Sequence, residues 1–195
     1  MIAQRSLVGL FFIVIAQLTL AEDDLMPEYA VVSGWSIRID TTLNNGCFAL
    51  ATYEKGSVLR VGIDNRDDTV YVIFGNPDWK SIEYGKNYDV EIQFGNETEW
   101  SGTAKGISFK APENQPYLAV TIATEDAVVN FIREYMSEKW VEFFYDGNSI
   151  DKLTLEGSYA AGMKILECQK NMRSNDHNSK DPFAHPGSSN DPFAT

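Results

Sequence analysis

Residues 47–75 read CFALATYEKGSVLRVGIDNRDDTVYVIFG, and the fold follows from how this stretch divides. Three segments, CFALATY (47–53), SVLRVGID (57–64) and TVYVIFG (69–75), place apolar side chains at alternate positions, the period of a half-buried strand. EKG and DNRDD join them. Connections this short, built from turn-forming residues, pair neighbouring strands antiparallel. Upstream, GWSIRID (34–40) puts Trp35, Ile37 and Ile39 on one face. Downstream, NPDWKSIEYGKN (76–87) reads as a longer loop. NYDVEIQF (87–94) then alternates again, GNET turns, and EWSGTAKGISF (99–109) and the end of APENQPYLAVTIA (111–123) supply further strands.

At Thr124 the period changes. TEDAVVNFIREYMSEK spaces Val128, Phe131, Ile132 and Tyr135 as one helical face, with Thr124 as N-cap and two acids in the first turn. WVEFFYD and SIDKLTLEG then flank a GN turn. A last helix opens at Ser158 and carries Tyr159, Ala161, Met163, Ile165 and Leu166 to Cys168. Strands followed by helices, rather than alternating with them, predict an α+β, β-dominated domain: an antiparallel sandwich or barrel of about 8–9 strands, with one helix before the last hairpin and one at the C-terminus.

The ends differ in composition. Arg5 followed by the apolar run LVGLFFIVIAQLTLA, ending in Ala21, has the pattern of a cleaved signal peptide over 1–21 and is short for a membrane span. Residues 22–33 read as a linker and 34–170 as one β-rich domain. From 171 to 195 the chain turns to Asn, Ser, Asp and Pro, the composition of a disordered tail, and repeats DPFA at 181–184 and 191–194. The expected location is therefore periplasmic or extracellular. The formal charge is −12 with no basic stripe, which disfavours nucleic acid and anionic membrane surfaces and leaves a basic protein partner open.

Both histidines, His177 and His185, fall in the expected tail. A domain without histidine has no Ser-His-Asp or Cys-His machinery and no imidazole zinc site. Carboxylates remain: Glu91, Glu97 and Glu99 surround one turn, and Glu125, Asp126, Glu134 and Glu138 share a helix. In a chain with 28 acids they read as solvated faces. Asp64, Asp67 and Asp68 in DNRDD form a weak calcium candidate, because clustered oxygens suit hard cations, but the EF-hand spacing is absent and a polar turn accounts for them. No cofactor is expected. Trp79 and Tyr84 fall in the 76–87 loop, outside any strand period, and form a candidate binding loop. Asn96 opens NET, a glycosylation pattern for a secreted eukaryotic protein.

The cysteines number two, Cys47 and Cys168. In an exported chain they meet an oxidising compartment and no histidine base, so a disulfide is expected, clasping the last helix to an early strand.

Taken together, the early Trp, GCFALATY, VLRVGID, NPDWKSIEYGKNYDVEIQF and the closing Leu153, Leu155, Gly157, Ser158, Ala161, Leu166 and Cys168 resemble small exported β-domain proteins of Gram-negative bacteria. The families in question are periplasmic proteins of the invasion-associated locus B type and of the VasI type linked to type VI secretion. The resemblance spans about residues 34–169 and implies a non-enzymatic periplasmic or surface protein; it carries over no functional residue. The sequence thus leads to an exported interaction module that binds a protein or cell-envelope component without stable membrane insertion. Two alternatives are a carboxylate-dependent glycan hydrolase and a small-ligand carrier.

Overall fold

The structure, a computed structural model, describes residues 25–109 and 115–177. The chain runs β1 (Glu28–Val32), β2 (Trp35–Asp40), a 3-10 turn (Thr41–Leu43), β3 (Gly46–Thr52), β4 (Val58–Asp64), β5 (Thr69–Gly75), β6 (Asn87–Phe94), β7 (Trp100–Ser108), β8 (Pro116–Ile122), α1 (Glu125–Ser137), β9 (Trp140–Tyr145), β10 (Asn148–Thr154) and α2 (Ser158–His177). All ten strands join one antiparallel sheet in the order β1-β2-β3-β4-β5-β8-β7-β6-β9-β10. The α+β, β-dominated class holds, with more strands than the 8–9 expected. β1 lies inside the segment read as a linker. It is short, and its hairpin to β2 turns on Ser33 and Gly34, both at positive φ (47° and 86°), where Ser-Gly is a weaker signal than Asn-Gly. The β9–β10 hairpin uses Asp146-Gly147 in the same way (51° and 70°), one residue earlier than the GN that marked it.

Consecutive hairpins account for β1 to β5 and for β6 to β8. Two longer returns complete the sheet: β8 pairs back onto β5, and after α1 the chain lays β9 against β6. The sheet then folds over on itself. Phe74 of β5 stacks on Phe143 of β9 with ring centroids 4.0 Å apart, although three strands separate them in the ladder. Side chains join the β10 edge to the other end of the sheet: Tyr53 Oη donates to the Thr154 carbonyl (2.7 Å), Ser57 Oγ to Asp151 (2.6 Å), and Trp35 Nε1 to the Glu156 carbonyl (2.9 Å). The result is sandwich-like, with one interior.

That interior collects the inward residues of most strands, among them Trp35, Ile37, Leu59, Val61, Val72, Val90, Ile92, Phe94 and Leu118, all almost fully buried. α1 supplies Phe131, edge-on to Phe94 (4.9 Å) and Trp100 (5.5 Å), and Tyr135, edge-on to Trp35 (5.7 Å). Edge-to-face aromatic pairs of this kind add about 0.5–1.5 kcal/mol each beyond the area they bury. α2 packs on α1 and on β1, β2 and β3. It buries Ala161, Ile165 and Cys168 and leaves Tyr159, Met163 and Leu166 exposed, so only part of the apolar pattern in its sequence is core.

The expected disulfide is present. Cys47 of β3 and Cys168 of α2 are joined with Cα atoms 6.1 Å apart, and both are fully buried. Beside the bridge, the Cys47 amide donates to Gln169 Oε1 (3.0 Å). α2 does not stop there but continues to His177, so residues 171–177, assigned by composition to the tail, are helical. A helix already anchored at Cys168 needs no new nucleus to extend. Arg173, one turn beyond the bridge, donates to Asn65 Oδ1 (3.1 Å) and pairs with Asp68, fixing the extension to the β4–β5 turn.

Candidate functional site

An antiparallel sheet with one face on the core normally presents polar residues on the other. Here β3, β4 and β5 depart from that rule. Their outward positions include Phe48, Arg60, Tyr71 and Ile73, all buried, and Leu50, partly buried. Ile107, Phe109, Tyr117 and Ala119, contributed by β7 and β8 and the end of β7's path, extend the patch.

Arg60 sits at its centre. In the register Leu50 is opposite Arg60, and Phe48 is opposite both Gly62 and Arg38, so the Arg60 side chain crosses β3 diagonally toward β2. Its guanidinium lies over the Phe48 ring, 3.6 Å from the centroid, a close cation–π contact. Beyond the ring, Nη2 meets Asp40 Oδ2 at 2.5 Å. The Tyr71 hydroxyl oxygen accepts from Nε (3.0 Å) and from Nη2 (2.5 Å). Asp40 is saturated from its other side, where Oδ1 accepts from the Thr42 amide (2.9 Å) and the Thr42 hydroxyl (2.5 Å). Nη1 has a different environment: its partner is the Met26 thioether at 3.6 Å, a weak acceptor.

Gly62 makes this packing possible. A Cβ at that position would lie 2.5 Å from the Tyr71 hydroxyl and 2.6 Å from Phe48 Cβ, so only glycine lets both rings close around the guanidinium. Ion pair and rings together are almost wholly dry, with side-chain exposure of 5% for Arg60 and 4% for Asp40. Burying two charges costs several kcal/mol per ion, and the attraction between them offsets that only with good geometry. A pair of this kind is weak evidence for stability. Its position beneath an open hollow is evidence for a site.

The hollow has a volume of about 440 Å³ and is lined by Leu25, Met26, Arg38, Phe48, Leu50, Thr52, Val58, Arg60, Ile73, Ser108, Phe109 and Tyr117. A second, of about 620 Å³, adjoins it at Ser108 and takes in Pro77, Lys80, Ile82, Tyr84, Ile107, Gln115 and Pro116.

The residues singled out in the sequence fall in several places. Trp79 packs edge-on against Phe74 (6.2 Å) and is partly buried, pinning the 76–86 loop to the sheet. Tyr84 is 81% exposed and lines the second hollow, so the two members of the candidate loop are split between packing and surface. Asp64 is held bidentate by Arg66, whose hydrogen bond and charge keep the carboxyl below the usual range. Asp67 accepts from the Thr69 amide (3.2 Å) and hydroxyl (2.7 Å), and Asp68 pairs with Arg173. Glu134, on the α1 face, accepts from Trp100 Nε1 at 2.6 Å. Asn96 is exposed in the β6–β7 turn. The signal segment and both DPFA repeats lie outside the described residues. Arg60, the residue on which the hollow is built, was not among the candidates.

Two buried phenols, Tyr71 and Tyr135, and the partly buried Tyr53 report on the packing. Burial raises the Tyr71 pKa from 10.0 to about 12, with Arg60 pulling partly against it. Burial pushes Tyr53 and Tyr135 up as well. In the unfolded chain these groups lose their protons near pH 10, so above that pH the unfolded state binds fewer protons and stability falls as pH rises. In an alkaline titration Tyr53, Tyr71 and Tyr135 are expected to ionise only as the far-ultraviolet dichroism is lost. Ionisation of all nine tyrosines in a folded domain would contradict the packing.

Comparisons with protein-family models, curated proteins and solved structures match none of them to this chain.

Proposed function

We propose that the chain is an exported, non-catalytic interaction module, placed in the periplasm or outside the cell, whose recognition surface is the outward face of β2–β5, β7 and β8. The observation that carries this reading is the apolar hollow built over a buried arginine on a sheet face that would otherwise be solvated. A concave, mostly apolar pocket with a few fixed polar groups is the usual mark of a ligand site. Export is supported by the leader-like N-terminus and by the disulfide. The resemblance to periplasmic proteins of the locus B and VasI types points the same way.

The buried acids favour binding over glycan hydrolysis. A glycosidase needs one carboxyl kept protonated, with a raised pKa. Asp64 is shifted the opposite way by Arg66, Asp40 has both oxygens engaged, and Glu134 is held by Trp100.

The test uses Leu50, which lines the hollow and is only partly buried. Leu50→Glu puts a charge in the hollow. The wild-type domain is expected to retain a cell-envelope component on an affinity column, and a folded Leu50→Glu domain is expected to lose at least tenfold of that retention. Equal retention by the two would refute the assignment of the surface.

A further inference from the structure

We infer that the hollow takes a small apolar molecule bearing one carboxylate, seated with its acid on Arg60 Nη1 and its body against the rings; this rests on the binding role proposed for that surface. The charge distribution is the first argument. The chain holds 28 acids against 16 Lys and Arg, yet among the described residues the hollow is lined by two arginines and by no acid. Its remaining lining is mostly aliphatic and aromatic, with Thr52 and Ser108 supplying hydroxyls. A purely ionic ligand would leave that apolar wall unused. A purely apolar one would leave Arg60 Nη1 on the weak Met26 thioether acceptor.

The second argument is the state of the guanidinium. Three of its sides are fixed, by the Phe48 ring, by Tyr71 and by Asp40, so its orientation is set before any ligand arrives. Nη1 is the exception, held by a thioether on a flexible methionine. Exchanging the Met26 sulfur for a carboxylate oxygen replaces a weak acceptor by a charged one, with no reorganisation of the arginine. Because Asp40 already balances the charge of Arg60, the gain is that of one charge-assisted hydrogen bond rather than of a bare ion pair. Preference for an acid over its neutral amide is therefore expected to be about tenfold, or about 1.4 kcal/mol. Arg38, which lines the same hollow, adds little to the preference, because it already donates to the Met26 carbonyl (3.2 Å) and the Ser36 hydroxyl (3.2 Å) and lies 4.0 Å from Glu28.

Calorimetric titration of the whole domain with sodium decanoate below its micelle concentration, and with decanamide, measures this preference. Decanoate is expected to bind about tenfold more tightly. The difference is expected to vanish in Asp40→Asn combined with Arg60→Met, which removes both charges together and so avoids stranding one of them. Equal affinity for acid and amide, or a preference that survives in the folded double variant, would overturn the inference. Should the double variant not fold, Arg60→Lys keeps the charge but loses the fork; unchanged discrimination there would equally overturn it. A peptide ending in phenylalanine, as free acid and as amide, separates a chain terminus from a fatty-acid source of the same chemistry. If no acid binds while Leu50→Glu still abolishes envelope retention, the ligand class is wrong and the surface is right.

Discussion

Arg60→Ala is expected to destabilise the domain by about 3–5 kcal/mol, because it leaves the Asp40 carboxyl buried with no cation to meet it. The loss has three parts. Asp40 keeps its Thr42 bonds but forfeits its ion pair with Arg60, Tyr71 forfeits the two Arg60 donors, and the Phe48 ring loses the guanidinium packed on its face. Asp40→Asn with Arg60→Met is expected to cost far less, since both charges leave together and a chain of similar length stays over Phe48. Urea unfolding of the three proteins gives the comparison. A single variant no worse than the double would show that the pair is not buried in solution and would remove the floor of the proposed site.

Removing the Cys47–Cys168 bridge is the second large effect. It encloses a sequence separation of 121 residues, for which the chain-entropy estimate is about 4–5 kcal/mol, an upper value where the unfolded chain keeps structure. In this fold the bridge carries a further burden. α2 leaves Tyr159, Met163 and Leu166 in solvent and meets the core through Ala161, Ile165 and Met172, with Gln169 beside the disulfide. Cys47→Ser with Cys168→Ser is expected to lower the unfolding midpoint accordingly and to raise amide exchange along α2 more than along β3–β5. Uniform exchange in the two proteins would mean that the helix is held by packing alone.

The alternation in residues 47–75 made β3, β4 and β5 legible, because short connections leave antiparallel pairing as the only neighbourly arrangement. The cysteine clasp was legible for a different reason: two cysteines in a sequence with a leader-like start are expected to pair with each other. What periodicity does not encode is which distant strands meet. The β5–β8 and β6–β9 ladders join segments far apart in sequence, and nothing in TVYVIFG or NYDVEIQF names its second partner. The candidate site was missed through the same focus on alternation. In CFALATY the inward Cys47, Ala49 and Ala51 alternate with outward Phe48 and Leu50, and every residue of TVYVIFG is buried. Apolar side chains on both faces of neighbouring strands were the available signal, and the arginine inside VLRVGID marked where that second face needed a counter-charge. Its partner, Asp40, lies two strands away, which no local pattern shows.

Recognition is expected on the outward face around Arg60 rather than on the 76–86 loop. Retention of an envelope component by folded Leu50→Glu and folded Tyr84→Ser, measured side by side with the wild-type domain, addresses it directly. Leu50 lines the hollow over the arginine, whereas Tyr84 lines only its neighbour. Leu50→Glu is expected to lose at least tenfold in retention and Tyr84→Ser less than threefold. Full retention by Leu50→Glu with loss in Tyr84→Ser would place recognition on the loop and contradict this expectation.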